Sequence, residues 1–109
     1  MAVGFSAAEA EDDAGYELLG VTELSGYADP QNRPPPYPAL ALRNRWQGEV
    51  VLLLSINKSG GLDKVDLLKS SGHQILDETA RQAAWGWRFQ GLKQNIQVRF
   101  PVKFVLEAV

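Results

Sequence analysis

Few residues in this chain combine a reactive side chain with a partner at a useful spacing. Its one histidine, His73, has no carboxylate cluster beside it in sequence. A metal site needs three or four converging ligands, so a surface or capping role at a strand-to-helix turn suits His73 better. Asp63 and Asp66 flank an expected strand at an odd spacing. They therefore point to opposite faces and do not form a general acid–base pair. Ser70 and Ser71 lie near His73 but lack helix or strand spacing to it, which favours a turn role. Gly60-Gly61 has neither the spacing nor the strand-to-helix context of a phosphate loop. Trp46, Trp85 and Trp87 are the residues from which a stacking platform for single-stranded nucleic acid would be built. Two of them fall on an expected helix, where core packing is the better account. The chain has no cysteine, so thiol catalysis, disulfides and Cys-based zinc sites are excluded. The expectation is a protein that is not an enzyme, with no catalytic, cofactor or metal site.

The elements that hold these residues are legible from patterning. With 109 residues and an apolar fraction of 45%, the chain has room for one domain with a modest core. Gly48 to Lys69 reads as a β-hairpin. Val50, Leu52, Leu54 and Ile56 alternate onto one face of the first arm, and Lys58-Ser59-Gly60-Gly61 supplies the turn. The second arm sets Val65 and Leu67 against Lys64, Asp66 and Leu68. A hairpin alone is marginal in water, so another element must cover its apolar face. That cover is a helix from about Gln74 to Trp87, with Leu76, Ala80, Ala83 and Trp87 on a single stripe. Gly86 is a poor interior helix residue and marks where the helix ends or bends. Ile96 to Leu106 then alternates cleanly as a strand. Its Arg99, Pro101 and Lys103 are edge-blunting residues. The order strand, strand, helix, strand implies an α+β fold: a three-stranded antiparallel sheet under one main helix, with the last strand at an edge. A short helix over Ala39 to Trp46 precedes it.

Charge divides the chain. Residues 1–32 carry seven acids and no Lys or Arg, whereas residues 33–109 carry eleven bases and six acids. The split predicts an acidic, partly disordered N-terminal segment and Pro-rich linker over residues 1–33, followed by a domain over residues 34–109. Residues 1–13 are small and acidic and read as a disordered start. Residues 16–27 carry enough apolar bulk for a short strand or for packing on the domain, while Gly20 and Gly26 oppose a helix there. The run Pro34-Pro35-Pro36 favours extended polyproline II, as a stiff spacer or as a ligand for an aromatic groove. No apolar run is long enough to span a membrane, and the first residues lack the basic region of a signal peptide. The chain reads as soluble, and as a piece of something longer if it works in a cell envelope.

From Pro34 to Leu106 the sequence resembles the C-terminal domain of the TonB family of periplasmic energy transducers. The resemblance is carried by Tyr37-Pro38, the strand Gly48 to Ile56, Ser70-Ser71-Gly72 with Leu76-Asp77, Trp87-Arg88-Phe89, and Val98 to Phe104. It departs at Gln90-Gly91, where the family usually has a proline, and at Gly86. The resemblance implies a periplasmic domain whose full-length protein is anchored in the inner membrane and driven by an ExbB/ExbD-type motor complex. Such a domain grips the TonB box, a short peptide of an outer-membrane receptor, and transmits work for siderophore, haem or cobalamin uptake.

An open edge at about Val98 to Leu106 would accept that peptide as an added strand. The candidate receptor-peptide residues are Pro36, Tyr37, Pro38, Arg45, Val98, Arg99, Phe100, Val102, Lys103, Phe104, Val105 and Leu106. Arg45 is included because it matches a basic position that the family places near the peptide; a solvated arginine at a helix end is the other account. The alternative is a TonB-like docking or dimerisation module that energises no receptor, and a homodimer belongs to that reading. Nucleic acid is not an expected partner, because the basic half is only weakly basic. One further expectation concerns residues 16–27, which are candidates to lie on the domain in cis and occupy the edge strand.

Overall fold

The alternating run Gly48–Ile56 forms the central strand β2 of the protein, seen here in a computed structural model that describes residues 15–106. Val50, Leu52, Leu54 and Ile56 are fully buried, each contributing roughly 1.5–3 kcal/mol by leaving water. The turn expected at Lys58 to Gly61 returns the chain into β3 (Leu62–Lys69), antiparallel to β2. On β3 Val65 is buried, but Leu67 is 39% exposed because β3 lies at the margin of the sheet.

Ahead of this hairpin come β1 (Tyr16–Leu19), the short helix α1 (Val21–Leu24), a 3-10 turn (Ser25–Tyr27) and α2 (Ala39–Arg43). The main helix α3 spans Gln74–Trp85, and the last strand β4 spans Asn95–Phe104. The expected disordered start over residues 1–13 lies outside the described residues.

The sheet corrects the expected topology. It has four strands in the order β1-β4-β2-β3, and it is mixed: β4 is antiparallel to β2, whereas β1 is parallel to β4. The last strand is therefore interior, not an edge, over the part that β1 covers. β1 matches Tyr16 to Leu19 with Asn95 to Val98 and stops there. Beyond it, among the described residues, the side of β4 facing away from β2 has no strand from Arg99 to Phe104. The glycines at 20 and 26 do not prevent local helix. Gly20 stays extended just before α1, and its N–H is bound by Glu23 Oε1 at 3.2 Å.

Helix α3 covers β2 and β3, burying Leu76, Ala80 and Ala84. The third stripe residue is thus Ala84 rather than Ala83, and the helix stops at Trp85 with Gly86 as its cap. Trp87 lies past the helix and is still buried. On the other face of the sheet, Gln97 Nε2 donates to Ser55 Oγ at 3.1 Å, and both residues are buried.

Asp77 joins β3 to α3. It accepts hydrogen bonds from Ser70 Oγ at 2.5 Å, Ser71 N–H at 2.8 Å and Ser71 Oγ at 2.8 Å. Burial pushes its carboxyl up, but those donors, helped by the nearby His73, outweigh it and hold the carboxyl below its ordinary 3.8. A group depressed on folding adds stability above its unfolded value and loses it as pH falls through the folded one. Asp77→Ala is expected to cost about 2 kcal/mol at neutral pH by orphaning the Ser71 amide. Urea melts should show the gap from the unsubstituted protein narrowing as pH drops below 3.8.

Candidate functional site

The open stretch of β4 is one wall of a groove. Its backbone orientation follows from the hairpin. Asn57 N–H donates to the Gly61 carbonyl at 2.9 Å, so odd-numbered residues of β2 bond toward β3 and even-numbered ones toward β4. The unbroken register Leu52↔Phe100, Val51↔Pro101, Val50↔Val102 then turns the main-chain groups of Pro101 and Lys103 away from β2. Pro101 is tolerated mid-strand because the N–H it lacks would have faced outward. The edge offers the Pro101 carbonyl and both main-chain groups of Lys103.

The opposite wall is the proline run, pinned at both ends. At one end Trp87 Nε1 donates to the Arg33 carbonyl at 2.7 Å. Just before it, the Asn32 side chain pairs with the main chain of Arg88, accepting its N–H at 2.9 Å and donating to its carbonyl at 2.8 Å. At the other end the Tyr37 hydroxyl donates to the Trp46 carbonyl at 2.5 Å, and its ring meets Phe104 edge-on at 5.4 Å. Trp87 and Phe89 join Phe100 and Phe104 in lining the groove, with Trp87 and Phe100 rings 4.9 Å apart. The groove holds about 460 Å³, within the range of roughly 300–1,000 Å³ usual for binding clefts. Its lining carries two cations, Arg33 and Lys103, and no acid.

The structure gathers Tyr37, Phe100, Val102, Lys103, Phe104 and Val105 around this groove. The remaining candidates lie elsewhere. Pro36 lines a second hollow on the far side of the proline run, with Ala83 and Gly86. Pro38 caps α2. Arg45 is exposed with φ 56°, its N–H bound to the Leu42 carbonyl, in a turn that brings it to none of the groove's lining. Arg99 is exposed opposite Leu53, and Leu106 bonds through its N–H to Gln47 Oε1 at 2.9 Å. Val98 is fully buried, and β1 lies against it through Leu19. Trp87, Phe89 and Arg33 were missed as groove residues. Trp87-Arg88-Phe89 was legible only as the end of a helix, because its meeting with Arg33 and Phe100 is long-range.

His73 stacks on Trp46 with ring centroids 4.9 Å apart and 12° between planes, and it stands at the start of α3. Its backbone carbonyl accepts from Ser71 Oγ at 3.1 Å. Among the described residues no cluster of three or more His, Cys, Asp or Glu side chains converges, and no helix is long and apolar enough to cross a membrane.

Fold and groove together define a small α+β domain with a length of strand edge exposed beside an aromatic-floored cleft. The family model for the C-terminal region of Gram-negative bacterial TonB proteins matches residues 33–106. The chain belongs to the TonB C-terminal family. It is 40% identical over 78 residues to the TonB protein of Xanthomonas campestris pv. campestris, covering 67% of this chain and 35% of that protein. With TonB of Neisseria gonorrhoeae the identity is 42% over 72 residues, covering 66% and 25%. The chain thus spans about a third or less of the length of these relatives. Among solved structures, the TonB C-terminal domain of Pseudomonas aeruginosa superposes with a TM-score of 0.70 at 26% identity, covering 84% of this chain and 96% of that one. The corresponding Helicobacter pylori domain gives 0.57 at 25% identity, covering 81% and 78%.

Proposed function

We propose that this domain is the receptor-gripping end of a TonB-type energy transducer. It binds the TonB box of an outer-membrane receptor as a strand added to β4. The observation that carries the reading is the outward-facing edge at Pro101 and Lys103, running beside an apolar groove. Main-chain bonds would hold any extended peptide, and the groove would select its side chains. With two cations and no acid in the lining, the favoured peptide carries apolar residues and net negative or neutral charge. A few edge bonds at ~0.5–1.5 kcal/mol each give weak, releasable binding. In this reading the domain works in the periplasm, driven from the inner membrane by an ExbB/ExbD-type complex, and serves siderophore, haem or cobalamin uptake.

An NMR titration with receptor TonB-box peptides tests it: shifts concentrated on Phe100 to Val105 and Tyr37 are expected. Silence at millimolar peptide sinks it. Lys103→Pro provides a sharper check, since it removes an outward N–H that β2 does not use. Peptide affinity should fall about tenfold, the worth of one edge bond, while the far-UV CD spectrum is retained.

A docking or dimerisation role is the second reading. It is favoured by β3, the other outer strand, whose Leu67 and Leu68 are 39% and 46% exposed. A mass that rises with concentration, together with no peptide response, would select it.

A further inference from the structure

The chain's first described segment is held with two very different strengths. From α1 onward it is fastened firmly. Leu24 is 1% exposed within the core, Gln90 N–H donates to the Tyr27 carbonyl at 2.8 Å, and Asp29 N–H donates to the Arg88 carbonyl at 3.0 Å. β1, just before it, is held lightly. It has four residues, of which Glu17 and Leu18 are exposed, Leu18 by 69%. Among its side-chain ties are two at the rim, Tyr16 Oη to Asp63 Oδ2 at 2.5 Å and Gln94 Nε2 to Glu17 Oε1, and Leu19 packs against the core only half-buried. Gly20 separates the two parts.

This lightly held strand sits on the same side of the same strand as the groove. Its last pair, Leu19↔Val98, directly abuts Arg99, where the open stretch begins. β4 spans ten residues, and β1 covers four of them.

From this juxtaposition we infer that β1 is a displaceable cis strand, which limits a bound peptide to the far part of β4 until it lifts. The inference rests on the receptor-peptide reading above. Lifting β1 about Gly20, with Leu24 and Tyr27 still anchored, opens the edge back to Asn95. A peptide that only fills the groove binds whether or not β1 is docked. A longer one must displace β1, and its apparent affinity is lowered by the fraction of time that β1 stays down.

The test compares the full chain with a variant lacking residues 1–19, which keeps Gly20 and the Leu24 anchor. A second variant, Glu17→Pro, leaves chain length intact while setting a proline in the middle of β1. Each is titrated with two peptides cut from one receptor's TonB box, one matched to the open stretch and one longer. For a β1 that is docked about nine-tenths of the time, both variants should bind the longer peptide ~10-fold more tightly, with the shorter one unchanged. Equal affinities across all three proteins, or weaker binding of the longer peptide by the variants, overturns the inference. A peptide-free measurement stands beside it. Hydrogen exchange in the full chain should be at least ~10-fold faster at the β1 amides that bond to β4 than at the Gln90 amide. Equal protection also overturns the inference. If neither peptide perturbs the groove in any of the proteins, the receptor reading fails, and the exchange rates still decide whether β1 lifts.

Discussion

The Gly60→Ala variant is expected to lose about 3–5 kcal/mol of stability, at the upper end of what a single substitution does. Two effects combine. Gly60 has φ 98°, a left-handed conformation that a side chain disfavours. A Cβ there would also stand 1.8 Å from the Phe89 carbonyl oxygen. The neighbour is backbone, so it yields only if the loop moves. That loop is itself tied back, since Phe89 N–H donates to the Gly60 carbonyl at 2.9 Å. Differential scanning calorimetry should show a fall in melting temperature of ~12 °C or more, using about 4 °C per kcal/mol for a domain of this size. A drop of only a few degrees would mean that the turn relaxes away from Phe89. Because Phe89 lines the groove, any such relaxation should also disturb the resonances of Phe100 and Phe104.

Trp87→Ala carries a similar expected cost, about 3–5 kcal/mol, as for other large aromatic truncations in a core. Trp87 is 6% exposed, meets Phe100, and holds the Arg33 carbonyl through its indole N–H. The truncation removes groove lining and one pin of the proline run together. Trp87→Phe separates these roles in large part, because it keeps most of the apolar body and loses the hydrogen bond together with the smaller ring. It should cost about 1–2 kcal/mol, with the Arg33 and Pro34 resonances moving most. If both variants melt at the same temperature, the N–H-bearing ring and its hydrogen bond account for the whole contribution and the remaining packing for little.

What the sequence made legible was the part governed by local periodicity. The alternation from Val50 to Ile56 gives β2 its bounds and its buried face, and Leu76 with Ala80 marks the inner side of α3. The place of β4 in the sheet was harder to read. Pro101 and Lys103 truly belong to an uncovered length of strand, yet the same strand is covered as far as Val98. The covering segment, Tyr-Glu-Leu-Leu, falls within residues 16–27, which the sequence offers as a short strand on that edge, but it has no alternation to fix its register, and its pairing spans some 80 positions of sequence. Asp77 was legible as part of the Leu76-Asp77 motif but not as the acceptor that gathers Ser70 and Ser71. Of the candidate site, Tyr37 and the run from Phe100 to Val105 share a periodic strand or its aromatic wall, and they meet. Arg45 and Pro36 were chosen by motif position alone; a turn carries Arg45 elsewhere, and Pro36 lines the hollow on the far side of the proline run.

The buried pair of Gln97 and Ser55 acts as a key in a slot. A strand pulled along its axis escapes by slipping, and the smallest slip that keeps its apolar side chains inward is two residues. Such a step would bring Gln97 opposite Leu53 or Asn57 instead of Ser55. Toward Leu53, Gln97 would lose its partner out of reach of water, at a cost of about 1–3 kcal/mol for the group left unsatisfied, while Ser55 came opposite Asn95. Toward Asn57, the buried pair would be exchanged for pairs with Asn57 and Arg99. The flanking apolar rungs would change partners too, and Phe100 and Phe104 would leave the places where they meet Trp87 and Tyr37. Two uncharged side chains thus add a notch to a β2–β4 ladder that Phe100 and Phe104 also hold in register.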